Sequence, residues 1–413
     1  MNGKLRGKDF CRGCDSTLLF SVLDFGDLPI ANELLKCETD ACSVFPLHLR
    51  ICKSCGLGQV EEVVLPERLF GDYRYLSSVS ASFLEHAKGF VEKSVIDFQL
   101  TTSDWVLEIA SNDGYLLRNF MDFGIPALGV EPAKNVAKIA NSKGVETIDR
   151  FFGTSLATEI LAERGFPKLI IANNVLAHVP DMADFISGLR ILCGETTVIS
   201  IENPSLMNLL EKNQFDTIYH EHYSYLTVTS VNLIASKFGL ELSNVEEIGT
   251  HGGSNRYWLN LPRTGSKVSE LVNRLSQSEI DHGLLSNLEW KKFAANSRVS
   301  IDSFRNWLRQ KNSDGAIVCG YGAAAKASTL INAAHIEPSW IKVIADEGSE
   351  KQNRYIPSYS IPIVSPSTLL EIRPTDVVVF PWNIASEISQ KITRLLGGEV
   401  RIWIAIPSME KLN

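Results

Sequence analysis

Apolar residues in this chain are grouped in short runs parted by longer, helix-compatible stretches. W-V-L-E-I-A (Trp105 to Ala110), A-L-G-V (Ala127 to Val130), L-I-I-A-N (Leu169 to Asn173) and T-V-I-S-I-E-N (Thr197 to Asn203) read as strands. Each leads into a polar or small-residue loop. Strands alternating with helical segments predict βαβ units and a parallel sheet, whose ligands gather beyond the carboxyl ends of the strands. From about Asp314 the theme repeats in A-I-V-C-G-Y, I-K-V-I-A, D-V-V-V-F and V-R-I-W-I. Between the two sets, Ser278 to Lys311 has helical periodicity with few breakers and reads as a bridge.

At 413 residues the chain exceeds a single core, which stops growing near ~250–300 residues, so several domains are expected. The net charge of −8, without a block of Lys or Arg, gives no reason to expect nucleic acid or an anionic membrane as partner. No apolar stretch approaches the ~18 residues of a membrane span and the start lacks an export signal, so a cytoplasmic protein is expected. In a reducing compartment cysteines point to metal before disulfides. Of eight, six precede residue 56, and C-R-G-C (Cys11, Cys14) with C-K-S-C (Cys52, Cys55) has the spacing of two zinc knuckles. Four thiolates make a closed, structural Zn2+ site. Cys37 and Cys42 lie in the long linker between the knuckles, where either could replace a ligand or be a simple buried or partly exposed thiol.

Neither glycine-containing turn is a clean dinucleotide fingerprint. The first, E-I-A-S-N-D-G (Glu108, Ala110, Asn112, Gly114), has an acid where a pyrophosphate would be repelled. Glu131, ending the next strand, is placed to bind a ribose diol, and this pair of acids suits S-adenosylmethionine (SAM) better than NAD. Asn173 ends the third strand and opens onto the same face. The second turn, G-Y-G-A-A-A-K (Gly320 to Lys326), either meets a phosphate or is an empty strand-to-helix turn.

The densest chemistry is Y-H-E-H-Y-S-Y, Tyr219 to Tyr225. A metalloprotease helix needs H-E-x-x-H, and on a helix His220 and His222 would diverge. A proton-transfer site asks for less: a histidine, an acid to fix its tautomer and a phenol for a developing oxyanion, which His222, Glu221 and Tyr219 supply. A polar strand meeting only backbone and water is the alternative, and His220 receives no chemistry in either case.

The knuckles, F-G-D-Y-R-Y (Phe70 to Tyr75), S-N-D-G, N-N-V-L-A-H-V-P-D, Y-H-E-H, G-T-H-G-G-S-N-R and G-Y-G-A-A-A-K occur in one order across the whole chain. In that order they resemble the SAM-dependent sugar C-methyltransferases acting on nucleotide-linked 4-keto-6-deoxy sugars in deoxysugar biosynthesis. The resemblance implies an α/β chain: a zinc-binding domain at 1–75, a Rossmann-like SAM domain at 76–265, a helical bridge at 266–310 and a Rossmann-like nucleotide-sugar domain at 311–413. It implies His222 as general base, with Tyr219, Glu221, Tyr73 and His178 assisting, and Ala110 stands where the family usually has glycine. Its substrate-side positions fall on His251, Gly252, Gly253, Arg256, Tyr321, Gly322 and Lys326, and on Lys351, Arg354, Trp382 and Asn383. The implied reaction is C-methylation beside the ketone of a dTDP-linked sugar, by base-generated enolate and in-line transfer from SAM. Separately, no long coiled or exposed apolar stretch is evident, so a monomer is expected. The alternatives are an O- or N-methyltransferase on such a sugar, an NAD(P)-linked dehydrogenase or epimerase, and a non-enzymatic nucleotide-binding module.

Overall fold

The computed structural model describes residues 5–70, 78, 81–263 and 268–413. Strands Leu19–Pro29 (β1), Val44–Cys52 (β2) and Gly58–Gln59 (β3) pair antiparallel in turn. Then Val106–Ile109 (β4), Ala127–Val130 (β5), Thr147–Ile148 (β6), Leu169–Asn173 (β7) and Val198–Pro204 (β8) follow, alternating with helices. Ser224–Tyr225 (β9), Glu241–Ile248 (β10) and Ser254–Asn260 (β11) close this region.

The central sheet has the order β10-β11-β8-β7-β4-β5-β6, parallel from β8 to β6 and antiparallel at β11 and β10. All four residues of β4 are buried, as a strand covered on both faces requires. Strand order reverses between β4 and β7, and a crevice opens at such a switch point beyond the carboxyl ends. Strand β9 lies outside this sheet. It pairs with β3, Gly58 opposite Tyr225 and Gln59 opposite Ser224, and completes the N-terminal sheet β1-β2-β3-β9.

The C-terminal unit is built on Val318–Tyr321 (β12), Ile344–Ala345 (β13), Arg354–Tyr355 (β14), Pro362–Val364 (β15), Asp376–Val379 (β16), Arg401–Ile404 (β17) and Glu410–Lys411 (β18). Their order is β14-β15-β13-β12-β16-β17-β18, parallel in the middle with antiparallel edges at β14 and β18. The helical bridge is two helices, Glu270–Asp281 and Asn287–Ser313, rather than one run. The break falls at Gly283, whose φ of +88° takes the chain out of the helix, and Ser286 caps the next helix through Leu288 N. Trp290, Phe293, Phe304 and Leu308 are buried at helical spacing. They share a core with Leu47 and Leu49 of β2 and with Val318 and Phe380 of the C-terminal unit, so the bridge binds the two end units together. No helix among the described residues is long and apolar enough to cross a membrane.

Candidate active site

A cavity of about 820 Å³ opens beyond the carboxyl ends of β4, β7 and β8. All three units wall it: Asn32 and Phe70 from the first, Glu131, Asn173, Tyr219 and His222 from the second, Lys326 and Asn383 from the third. Tyr219 to His222 forms a turn closed by His222 N donating to the Tyr219 carbonyl at 3.0 Å. The turn brings residues three apart together, with the Tyr219 and His222 rings 4.1 Å apart and the phenol oxygen 2.9 Å from Nε2. Nδ1 of His222 lies 3.1 Å from the Thr217 carbonyl. A carbonyl can only accept, so Nδ1 carries the proton and Nε2 is the basic nitrogen.

Glu221 does not orient His222, contrary to expectation. The turn sends its carboxyl group toward the N-terminal unit, where Oε1 accepts from Asn32 N at 3.1 Å while Oε2 is buried without a partner. Burial raises its pKa. Its backbone carbonyl accepts from Nδ1 of His178 at 2.7 Å, and the His178 ring stands 4.8 Å from that of His222. Burial lowers the His178 pKa to about 4, which keeps it neutral near pH 7. His220 faces away from the cavity, 2% exposed, with Nε2 3.1 Å from the Phe45 carbonyl of β2, so it anchors the turn. Tyr73 lies outside the described residues.

On the cofactor side Ala110, Asn112, Glu131 and Asn173 line the cavity. Ala110 has φ +54°, a left-handed conformation costing a non-glycine residue roughly 1–2 kcal/mol, which is a physical reason for glycine at this position. The Glu131 carboxylate accepts from Asn112 N (3.0 Å) and Ala133 N (2.9 Å), each oxygen keeping a second lone pair for a ligand. Glu108 and Gly114 do not border the cavity. Glu108 is sealed inside β4, where burial, then Glu131 and Asp113, raises its pKa well above the usual range. Gly114 has φ +78°, and a Cβ there would lie 2.8 Å from Val145, so packing requires the glycine. Phe151 and Phe152 border the same lobe, Phe151 at 46% exposure, and no motif had singled them out.

Of the substrate-side positions, Lys326, Lys351 and Asn383 border the cavity. Gly252, Gly253 and Trp382 border a neighbouring hollow, in the turn that contains His251 and in the loop after β16. Arg256 is buried on β11, with Nη2 2.5 Å from Glu202 and its guanidinium over the Phe90 ring, facing the sheet's interior. Tyr321 donates to Glu347 (2.6 Å), and Arg354 lies on the edge strand β14 with Nε donating to the Glu350 carbonyl. Gly322, φ +89°, leaves 2.4 Å between a would-be Cβ and Pro381, a close packing that admits no side chain. These four lie outside the cavity lining.

The sulfurs of Cys11, Cys14, Cys52 and Cys55 all lie within 4.8 Å of one another, and Cys11–Cys55 and Cys14–Cys52 are each 3.6 Å apart. Tetrahedral zinc with Zn–S bonds of about 2.3 Å has sulfur edges of about 3.8 Å, so the four residues fit one ion. Cys37 and Cys42 are not part of this cluster.

Family profiles match in chain order: a zinc binding domain over residues 11–70, a methyltransferase domain over 83–245 and a C-methyltransferase C-terminal domain over 249–407. The C-methyltransferase NovU of Streptomyces niveus is 32% identical over 409 residues, 98% of this chain and 97% of that protein. Magnesium protoporphyrin IX methyltransferase of Synechocystis, solved with bound SAM, aligns at 14% identity and a TM-score of 0.34, covering 48% of this chain and 89% of its own. A SAM-dependent methyltransferase of Archaeoglobus fulgidus aligns at 17% identity and 0.33, covering 48% and 86%. Likenesses that distant carry no weight beside the full-length relative. Identity along nearly the whole length, with the thiolate cluster and the parallel sheet in place, shows that the chain belongs to the SAM-dependent C-methyltransferase family and has a structural zinc domain at its N-terminus.

Proposed function

We propose that this enzyme methylates a nucleotide-linked 4-keto-6-deoxy sugar, of the dTDP-sugar kind, at a carbon beside the ketone by way of an enolate. The observation that carries the reading is the pairing of a basic imidazole nitrogen with a phenol, Nε2 of His222 with Tyr219 at 2.9 Å, inside a cavity that both larger units wall. A ketone acidifies its neighbouring C–H bonds, so a neutral imidazole can take the proton if the resulting oxyanion is stabilised. His222 takes it on Nε2, and the Thr217 carbonyl holds the proton already on Nδ1. The Tyr219 hydroxyl turns from Nε2 to the ketone oxygen, a donor worth about 3 kcal/mol by comparison with an oxyanion hole. Neutral His178 alongside places no competing cation beside the base. SAM, when bound, supplies an electrophilic methyl group. Glu131 is the acceptor for its ribose hydroxyls, Asn112 and Asn173 are polar groups for its amino-acid end, and Phe151 is an exposed ring to cover adenine. Lys326, Lys351 and Asn383 would hold the anionic nucleotide part of the substrate. The zinc cluster takes no part in this chemistry.

The test is solvent deuterium exchange into the 4-keto sugar nucleotide with enzyme and no SAM, read by mass spectrometry. The ring C–H should exchange, and His222→Asn should abolish exchange while calorimetry shows SAM affinity unchanged. Methylation that proceeds with SAM but without any exchange in its absence would sink the enolate route. A product whose NMR spectrum puts the methyl on oxygen or nitrogen would replace it.

A further inference from the structure

The turn Phe215–Thr217 lies between the base and the C-terminal unit. The Thr217 carbonyl faces Nδ1 of His222. The preceding residue, Asp216, is 1% exposed; its Oδ2 accepts the indole N–H of Trp382 at 2.8 Å, and its Oδ1 is buried without a partner. Trp382 carries Lys326 on its ring face, with Nζ 4.0 Å from the centroid, and Nζ donates to Asn383 at 2.8 Å. A second tie from the same unit reaches the next residue along, Thr329 Oγ1 donating to the Ile218 carbonyl at 3.4 Å. Lys326 and Asn383 border the main cavity, whereas Asp216 and Trp382 do not. One carboxyl group and one indole N–H therefore span the junction between the base's turn and the lysine's unit. A carboxyl group sealed from water with an oxygen unpaired is unfavourable; the nearby Lys326 and the indole N–H offset only part of the cost, and burial still pushes the Asp216 carboxyl up to about 6.

We infer that Asp216 is a positioning residue: bonded to Trp382, it locks the Phe215–Thr217 turn so that the Thr217 carbonyl meets His222, and ties that geometry to Lys326 and Asn383. The inference rests on His222 being the base. Its chemical content is that the C-terminal unit does more than receive the nucleotide. It holds the tautomer of a base on another unit through the Asp216–Trp382 bond, with the Thr329–Ile218 tie beside it. Displacing a catalytic group by about 1 Å can cost about a hundredfold in rate, so a turn released at one of its ties should lower base activity clearly.

Asp216→Ala and Trp382→Phe, each assayed by SAM-independent deuterium exchange at saturating sugar nucleotide, should each slow exchange about tenfold with SAM affinity unchanged. The double variant should be no slower than the slower single variant, because both remove the same link. Asp216→Asn, which keeps an oxygen to accept the indole N–H, should restore most of the rate. Singles within about twofold of wild type, losses that multiply in the double variant, or an Asp216→Asn as slow as Asp216→Ala would each overturn the inference. If His222→Asn exchanges normally, the base assignment itself fails. If His222→Asn is inactive and Asp216→Ala is not, only the present inference fails.

Discussion

His178 owes its low pKa to its place in the cavity wall, where burial costs its charged form more than the bond to the Glu221 carbonyl returns. Its folded value of about 4 lies below the roughly 6.5 of an unfolded chain. Between those values the unfolded state binds a proton that the folded state refuses, so stability falls as pH drops through the window and levels off below it. The slope approaches about 1.4 kcal/mol per pH unit, on the order of 3 kcal/mol across the window. Buried carboxyl groups with raised values, Glu221 and Glu131 among them, work in the opposite direction, so only a difference between proteins isolates the histidine. His178→Gln keeps a donor for the Glu221 carbonyl and cannot titrate. Denaturant melts from pH 7 to 4 should show wild type losing ground to this variant as pH falls. A difference that stays constant with pH would remove the buried-neutral account. At this scale the sequence exposed side chains that meet in the cavity, Tyr219, His222 and His178 among them, but not their partners. Two of the groups that hold the site, the carbonyls of Thr217 and Glu221, are backbone atoms and leave no mark in a residue pattern.

Along β8, β10 and β11 the register sets Arg256 opposite Glu202 on one side and Glu246 on the other. Burial would raise the Glu202 pKa, but hydrogen bonding by His86, then the charge of Arg256, brings it down to about 2. Removing one partner of a buried pair costs about 3–5 kcal/mol, so Arg256→Ala should lower stability by that order. Below the melting range it should leave the KM for the sugar nucleotide unchanged, whereas Lys326→Ala should raise it. A large KM effect in Arg256→Ala with little loss of stability would return Arg256 to the substrate side. The G-G-S-N-R stretch received its ligand role from the family resemblance, but β11 is covered on both faces and buries that cation against Glu202 and Phe90. The elements themselves were readable: buried apolar runs became β4, β5, β7 and β8, and the second set became the C-terminal sheet. The helical bridge was readable as helix but not as two pieces, since one glycine decides the break. Strand β9 was not readable, because two residues carry no periodicity and its partner β3 is remote in sequence. The bond from Asp216 to Trp382, 166 residues apart, was hidden for the same reason.

The N-terminal unit reaches the turn that carries Tyr219 and His222 through the strand that follows that turn. Cys55 lies three residues before β3, and β3 pairs with β9. Arg12, between two of the clustered cysteines, donates its backbone N–H to Gln59 (3.0 Å) and Nη2 to the Val60 carbonyl (2.6 Å). Val60 N donates to Tyr223 O at 3.1 Å, and the Tyr223 hydroxyl to Val64 O at 2.7 Å. His220 and Glu221 are tied to the same unit through Phe45 and Asn32. Zinc therefore stabilises the platform on which the turn carrying His222 rests, while Glu131 and Asn173 stand at the ends of β5 and β7 in the central sheet, whose core Cys11, Cys52 and Cys55 also join. A structural zinc site contributes on the order of 10–16 kcal/mol at neutral pH, more than this small unit can lose and stay folded. Metal analysis should find about one equivalent of zinc. Stripping it with a chelator should speed amide exchange in residues 220–226 and in β3 while β4, β5 and β7 stay protected. SAM-independent deuterium exchange into the sugar should then collapse with SAM affinity kept within about threefold, because β5 and β7, which carry Glu131 and Asn173, are held by strand pairing within the central sheet. Protection of residues 220–226 that survives metal removal, or SAM affinity that falls in step with base activity, would mean that the zinc unit does not carry the turn.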